Sequence, residues 1–131
     1  MKIATLANAA VVHTGRWVEH FRDRGHDVRL FTLEPAPPGL AATRLPSPPL
    51  PGLLRYPLAV PRLARELRAF APDLVDAHYV PNYGVMGALT GRHPLSIAAW
   101  GSDLLLAAGR DAWQRARARF ALTRADLVLC D

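Results

Sequence analysis

Residues 2–33, KIATLANAAVVHTGRWVEHFRDRGHDVRLFTL, decide the fold. Lys2 to Ala7 is apolar enough for a buried strand. Thr14 to Arg24 is expected to be a helix: Thr14 can cap it, and Trp17, Val18 and Phe21 share one face. Gly25 stands where a left-handed residue is wanted after the last turn. Asp27 to Leu33 then predicts a second strand. Strand, helix and strand within about thirty residues make a βαβ unit with a right-handed connection.

Working outward, nine of the twelve prolines fall between Pro35 and Pro61. This stretch is expected to be a long extended connection with a short strand at Leu40 to Leu45. It is either a plain surface excursion or the frame of a cleft. Leu58 to Ala71 predicts an amphipathic helix, with Leu63, Leu67 and Phe70 opposite Arg62, Arg65 and Arg68. Strands are expected at Asp73 to His78, Leu95 to Trp100 and Asp126 to Cys130. Helices are expected at Asn82 to Gly91 and Asp111 to Thr123. The small residues Gly84, Gly87 and Ala88 imply close packing on a sheet. This alternation specifies a doubly wound parallel sheet, Rossmann-like, in three α/β/α layers. The chain stops at an apolar strand, so residues 1–131 are expected to be the N-terminal domain of a longer polypeptide.

The composition narrows the function. The 131 residues carry 16 Lys+Arg against 11 Asp+Glu, a formal charge of +5. Lys2 is the sole lysine, which excludes a Walker A loop. The arginines are scattered without a zinc-finger or RNA-recognition signature, so no nucleic-acid partner is expected. Cys130, the sole cysteine, leaves no intramolecular disulfide and no multi-cysteine zinc site. No apolar run approaches the ~18 residues of a membrane span, and residues 1–7 lack the long apolar region of a signal peptide, so none is expected. A cytoplasmic setting is the expectation. GxSxG, HExxH and GxGxxG are absent, and His13, His20 and His26 do not converge, so no metal site is expected.

In such a sheet, ligands bind beyond the carboxyl ends of the strands. Three loops within the chain meet that edge: Asn8 to Arg16, His78 to Gly84 and Trp100 to Asp103. At the first, Thr14 and Gly15 can donate amides to a phosphate, or serve as a cap and a turn residue. Asp103 can take a proton, bind a hydroxyl or cap the following helix. Tyr79 and Ser102 suit hydrogen bonding to hydroxyls or phosphate.

The string HTGRWVEHFRDRGHDVRLFT resembles the opening βαβ of family 4 glycosyltransferases. PDLVDAHYVPNYGVMGAL is similar to their Pro-Asp-hydrophobic-hydrophobic-His-x-His segment. PLSIAAWGSDLL matches their strand ending in Gly-Ser/Thr-Asp, and LTRADLVLCD their Arg-Ala-Asp strand. The resemblance covers nearly all of the chain apart from the proline-rich stretch. It implies the acceptor-side half of a GT-B enzyme that moves a hexose from a nucleotide-sugar with retention, without a cofactor or a metal. It implies a sugar, lipid-linked or small-molecule acceptor, and a C-terminal donor-binding domain as this half's partner. Thr14, Gly15 and Gly101 would then approach the donor diphosphate, and His78, Tyr79 and Ser102 the acceptor. Asp103 and His13 would stand at the chemistry, since Trp100 takes the place of the histidine in the usual His-Gly-Ser/Thr-Asp. Arg62, Arg65 and Arg68, with Arg115, Arg117 and Arg119, are either weak docking groups for an anionic membrane or solvated helix faces. A stand-alone module that binds a nucleotide or phosphorylated metabolite is the other reading of the βαβ pattern.

Overall fold

A computed structural model describes residues 1–47, 49 and 54–130. The strands are β1 (Lys2–Leu6), β2 (Asp27–Thr32), β3 (Ala42–Arg44), β4 (Leu74–His78), β5 (Leu95–Ala99) and β6 (Leu127–Cys130). The helices are α1 (Val12–Asp23), α2 (Arg55–Phe70), α3 (Val85–Leu89), α4 (Ala108–Arg110) and α5 (Ala112–Leu122). All six strands run parallel in the order β3-β2-β1-β4-β5-β6. The doubly wound sheet is therefore as expected. Its order reverses between β1 and β4, which opens a crevice at their carboxyl ends.

Side-chain alternation divides the core between the two faces of the sheet. Ile3, Ala7, Val28 and Leu30 pack with Val18 of α1. Leu6, Val75, Ala77 and Ile97 pack with Leu63, Leu67 and Phe70 of α2, Met86 of α3 and Ala121 of α5. The small residues of the third helical stretch are used as expected. A Cβ on Gly87 would meet Leu95 Cδ1 at 3.1 Å and Leu6 Cδ1 at 3.4 Å, so this segment lies directly on the strands.

Several elements differ from the expectation. Helix α1 starts at Val12, two residues early, with Val11 at the N-cap and no side-chain cap. Thr14 is thus a buried residue of the first turn and not the cap. Its amide donates to Val11 O at 3.0 Å and is not free for a phosphate. The helix expected from Asn82 instead opens as a π-helical run, Tyr79–Gly84, and becomes α-helical only at Val85. A second π-helical run, Asp103–Ala107, follows β5. Arg117 does not share the solvated basic face of α5. It is buried, donating to Gln114 Oε1 and to Pro81 O of the first π-helical run. Burial lowers the pKa of its guanidinium. Pro48 and residues 50–53 of the proline-rich connection lie outside the described residues.

Candidate functional site

A cavity of about 250 Å³ occupies the crevice at the switch point. The loop after β1 supplies Asn8, Val11 and Thr14. The end of β4 supplies His78, Tyr79, Asn82 and Tyr83, while Trp100 follows β5 and Tyr56 opens α2. Three parallel strand ends and one helix start therefore converge on one space, which the topology requires of a ligand site.

Asp76 forms the buried floor beside His78. Alternation along β4 puts both on the α1 side of the sheet, and the register sets Asp76 between Thr5 of β1 and Ser96 of β5. One oxygen, Oδ2, accepts Trp17 Nε1–H at 2.9 Å and His78 Nε2–H at 2.9 Å. Oδ1 accepts the Ser96 hydroxyl at 2.5 Å. Burial pushes the Asp76 pKa up, but the bonds from His78, Ser96 and Trp17 outweigh it and hold the carboxyl below its usual range. An ionised carboxylate can only accept, so the proton between the two residues sits on His78 Nε2. His78 Nδ1 is buried without a partner.

Asp103 ties two loops together. It is fully buried. Its Oδ2 accepts the Val80 amide at 2.9 Å, and Oδ1 accepts the Trp100 and Leu104 amides at 3.0 and 3.1 Å. Accepting three amides from two loops, the carboxylate positions the backbone around the cavity. By holding Val80 it fixes the backbone beside Tyr79, whose φ of 72° is a left-handed conformation unusual for an aromatic residue. Such strain costs on the order of 1–3 kcal/mol and clusters at ligand sites.

The remaining expected residues divide cleanly. His78 and Tyr79 line the cavity, as does Thr14. His13 is exposed at its mouth, edge-on to Trp100 with ring centroids 5.4 Å apart, and Trp100 in turn meets His78 at 5.8 Å. Gly15, Gly101 and Ser102 stay outside the cavity wall, with Ser102 exposed on the loop. Sequence reasoning missed Asp76, Asn82, Tyr56 and Tyr83. The signal for Asp76 was present, because a carboxylate within the apolar strand DLVDAH must find buried partners. Among the described residues, no three His, Cys, Asp or Glu side chains group to hold a metal.

At the end of β2, Glu34 stands where nucleotide-binding βαβ units place the acid that grips a ribose. Its carboxylate is taken, by Arg55 at 2.8 Å and by the Tyr83 hydroxyl. Burial and this bond to Glu34 raise the Tyr83 pKa far above its ordinary value. The node clamps β2 to α2 and to the first π-helical run.

A six-stranded parallel sheet with a cavity at its switch point defines a Rossmann-like α/β domain. The chain belongs to the glycosyl transferase 4-like family, which matches residues 2–131. Among solved structures, sucrose-phosphate synthase from Thermosynechococcus elongatus is similar to it, with a TM-score of 0.65 and 16% identity. That match covers 98% of this chain and 41% of the other, so the chain spans about two-fifths of that protein's length. At this identity the likeness shows the fold, which is that of a GT-B glycosyltransferase domain. No curated protein matches the sequence.

Proposed function

We propose that the chain is the acceptor-side half of a retaining glycosyltransferase that moves a hexose from a nucleotide-sugar. The observation that carries this reading is the switch-point cavity, with His78, Tyr79 and Asn82 on a wall that Asp103 holds in place. In this reading the acceptor occupies the cavity, with Ser102 at its outer edge. The donor diphosphate lies outside, over the first turn of α1 at Gly15, with Gly101 opposite and Thr14 beneath as a buried wall residue that donates nothing to it. His13 at the mouth stands nearest the reacting sugar. The barrier falls through positioning and stabilisation of the departing diphosphate, with no cofactor or metal. The nucleotide-binding module is disfavoured because Glu34 is already engaged.

The test is donor consumption by a polypeptide carrying this half and a C-terminal domain, assayed against a panel of nucleotide-sugars. Turnover or donor-dependent hydrolysis is expected, and neither with any donor overturns the reading. The 131-residue chain alone is expected to be inactive and to bind nucleotide-sugars in the millimolar range at best. Micromolar binding would place the donor in this half.

Gly15 gives a sharper test. A Cβ there would meet nothing closer than Leu40 Cδ2 at 3.9 Å, so nothing in the fold demands glycine. Gly15→Ala should stabilise the domain by up to about 1 kcal/mol, because glycine is a poor helix former. If the diphosphate passes over this turn, the same variant raises the donor KM. A thermal melt and donor kinetics read the two effects separately.

Peripheral contact with an anionic membrane belongs to the same reading. Leu105, Leu106 and Trp113 are exposed on the segment that carries Arg110 and Arg115. On α2, Arg62 pairs with Glu66 at 2.6 Å, while Arg65 and Arg68 are exposed and have no acid partner among the described residues. Anionic headgroups contribute about 1 kcal/mol per arginine, so binding to anionic liposomes should be weak and salt-sensitive. Equal sedimentation of wild type and the Arg62→Glu/Arg65→Glu/Arg68→Glu variant would exclude α2 as the docking face. No helix among the described residues is long and apolar enough to cross a membrane.

A further inference from the structure

We infer that the switch-point cavity takes an uncharged, hydroxyl-bearing ring and discriminates against its phosphorylated counterpart. This rests on the reading of the cavity as the acceptor subsite and names the class of acceptor. Among the described residues, none that lines it is a lysine or an arginine. The two guanidiniums whose charge reaches Tyr56 are Arg55 and Arg117. Arg55 is paired with Glu34, and Arg117 is committed to Gln114 and Pro81. Four amides of the loop after β1 and the first turn of α1 are also spent. Ala9 donates to Thr32 Oγ1, Ala10 to Asn8 Oδ1, Val11 to Asn8 O and Thr14 to Val11 O. A phosphate drawn into this cavity would lose its hydration without gaining a cation.

Hydroxyls fare differently. His78 Nδ1 and Asn82 Oδ1 are both buried without a hydrogen-bond partner, and both residues line the cavity. The Asp76 carboxylate keeps the proton on Nε2, so in the neutral ring Nδ1 is an acceptor, as Asn82 Oδ1 always is. A ring hydroxyl is the neutral donor that satisfies either one. Trp100 and Tyr79 add aromatic walls, which suit the apolar faces of a ring.

The experiment is amide and side-chain NMR of the chain, titrated with free glucose, mannose and galactose and with the corresponding 6-phosphates. At least one free hexose should perturb Asn82, His78 and Tyr79 at millimolar concentrations, and its 6-phosphate should bind at least fivefold more weakly. Asn82→Ala should weaken the hexose at least fivefold. Asn82→Lys should reverse the preference toward the phosphate, which keeps the inference testable if the alanine variant misfolds. Equal or tighter binding of the 6-phosphate by wild type, shifts confined to other residues, or no response to any free hexose up to 100 mM overturns the inference. Because binding alone is read, loss of donor turnover leaves this result standing, and the reverse also holds.

Discussion

Asp103→Ala should destabilise the chain by roughly 2–5 kcal/mol, because it strands the buried Val80 amide and the part-buried Trp100 amide at roughly 1–3 kcal/mol each. Val80 and Trp100 have no other acceptor among the described residues, whereas the Leu104 amide also donates to Gly101 O at 3.1 Å. Since a domain of this size holds about 5–15 kcal/mol in all, this is a large share of its stability. Asp103→Asn should cost less. Its carbonyl can keep Trp100 and Leu104, while its amide group faces the Val80 N–H and repels it. Both variants release the loop that holds Tyr79 at positive φ, so binding in the cavity should fall further than stability alone explains. Chemical denaturation of the three proteins checks the order. An alanine variant within 1 kcal/mol of wild type would show that the two loops hold each other without the carboxylate.

The second large effect is at Asp76. Asp76→Ala leaves Trp17 Nε1–H, His78 Nε2–H and the Ser96 hydroxyl without their acceptor inside the sheet. A loss of about 3–5 kcal/mol is expected, the usual cost of breaking a buried polar network. Asp76→Asn is milder, because its carbonyl can serve Trp17 and His78 while its amide donates to a rotated Ser96 hydroxyl. The pH dependence separates charge from geometry. The folded-state pKa of Asp76 is depressed, so its ionised form adds stability that is complete above the unfolded value, near pH 4. That stability is lost as pH falls through the folded value. The gap between wild type and Asp76→Asn should therefore be widest above pH 5 and shrink toward pH 3. A gap that does not change with pH would contradict an ionised Asp76.

The sheet was legible because its evidence is local. Apolar runs such as residues 95–99 and 2–6 announce strands, and residues 14–25 carry a face and a glycine stop. The π-helical run at Tyr79–Gly84 was not legible, since Asp103, 23 residues away from Val80, holds its start. Within one segment, YVPNYGVMGAL reads only as a helix. Likewise, RARAR looks like a solvated face, and nothing local says that Arg117 will turn inward to Pro81. Tyr56 was hidden by the prolines around it. At the site, His78 and Tyr79 were found because they follow a strand. Asn82 was missed because it sat inside an expected helix.

The central claim is that this cavity is the acceptor half of a glycosyltransferase site. It is tested most directly by steady-state kinetics of Asn82→Ala in the polypeptide that carries both halves, with donor and acceptor varied separately. The account predicts an acceptor KM raised at least fivefold and a donor KM close to that of wild type. A raised donor KM with an unchanged acceptor KM would contradict it.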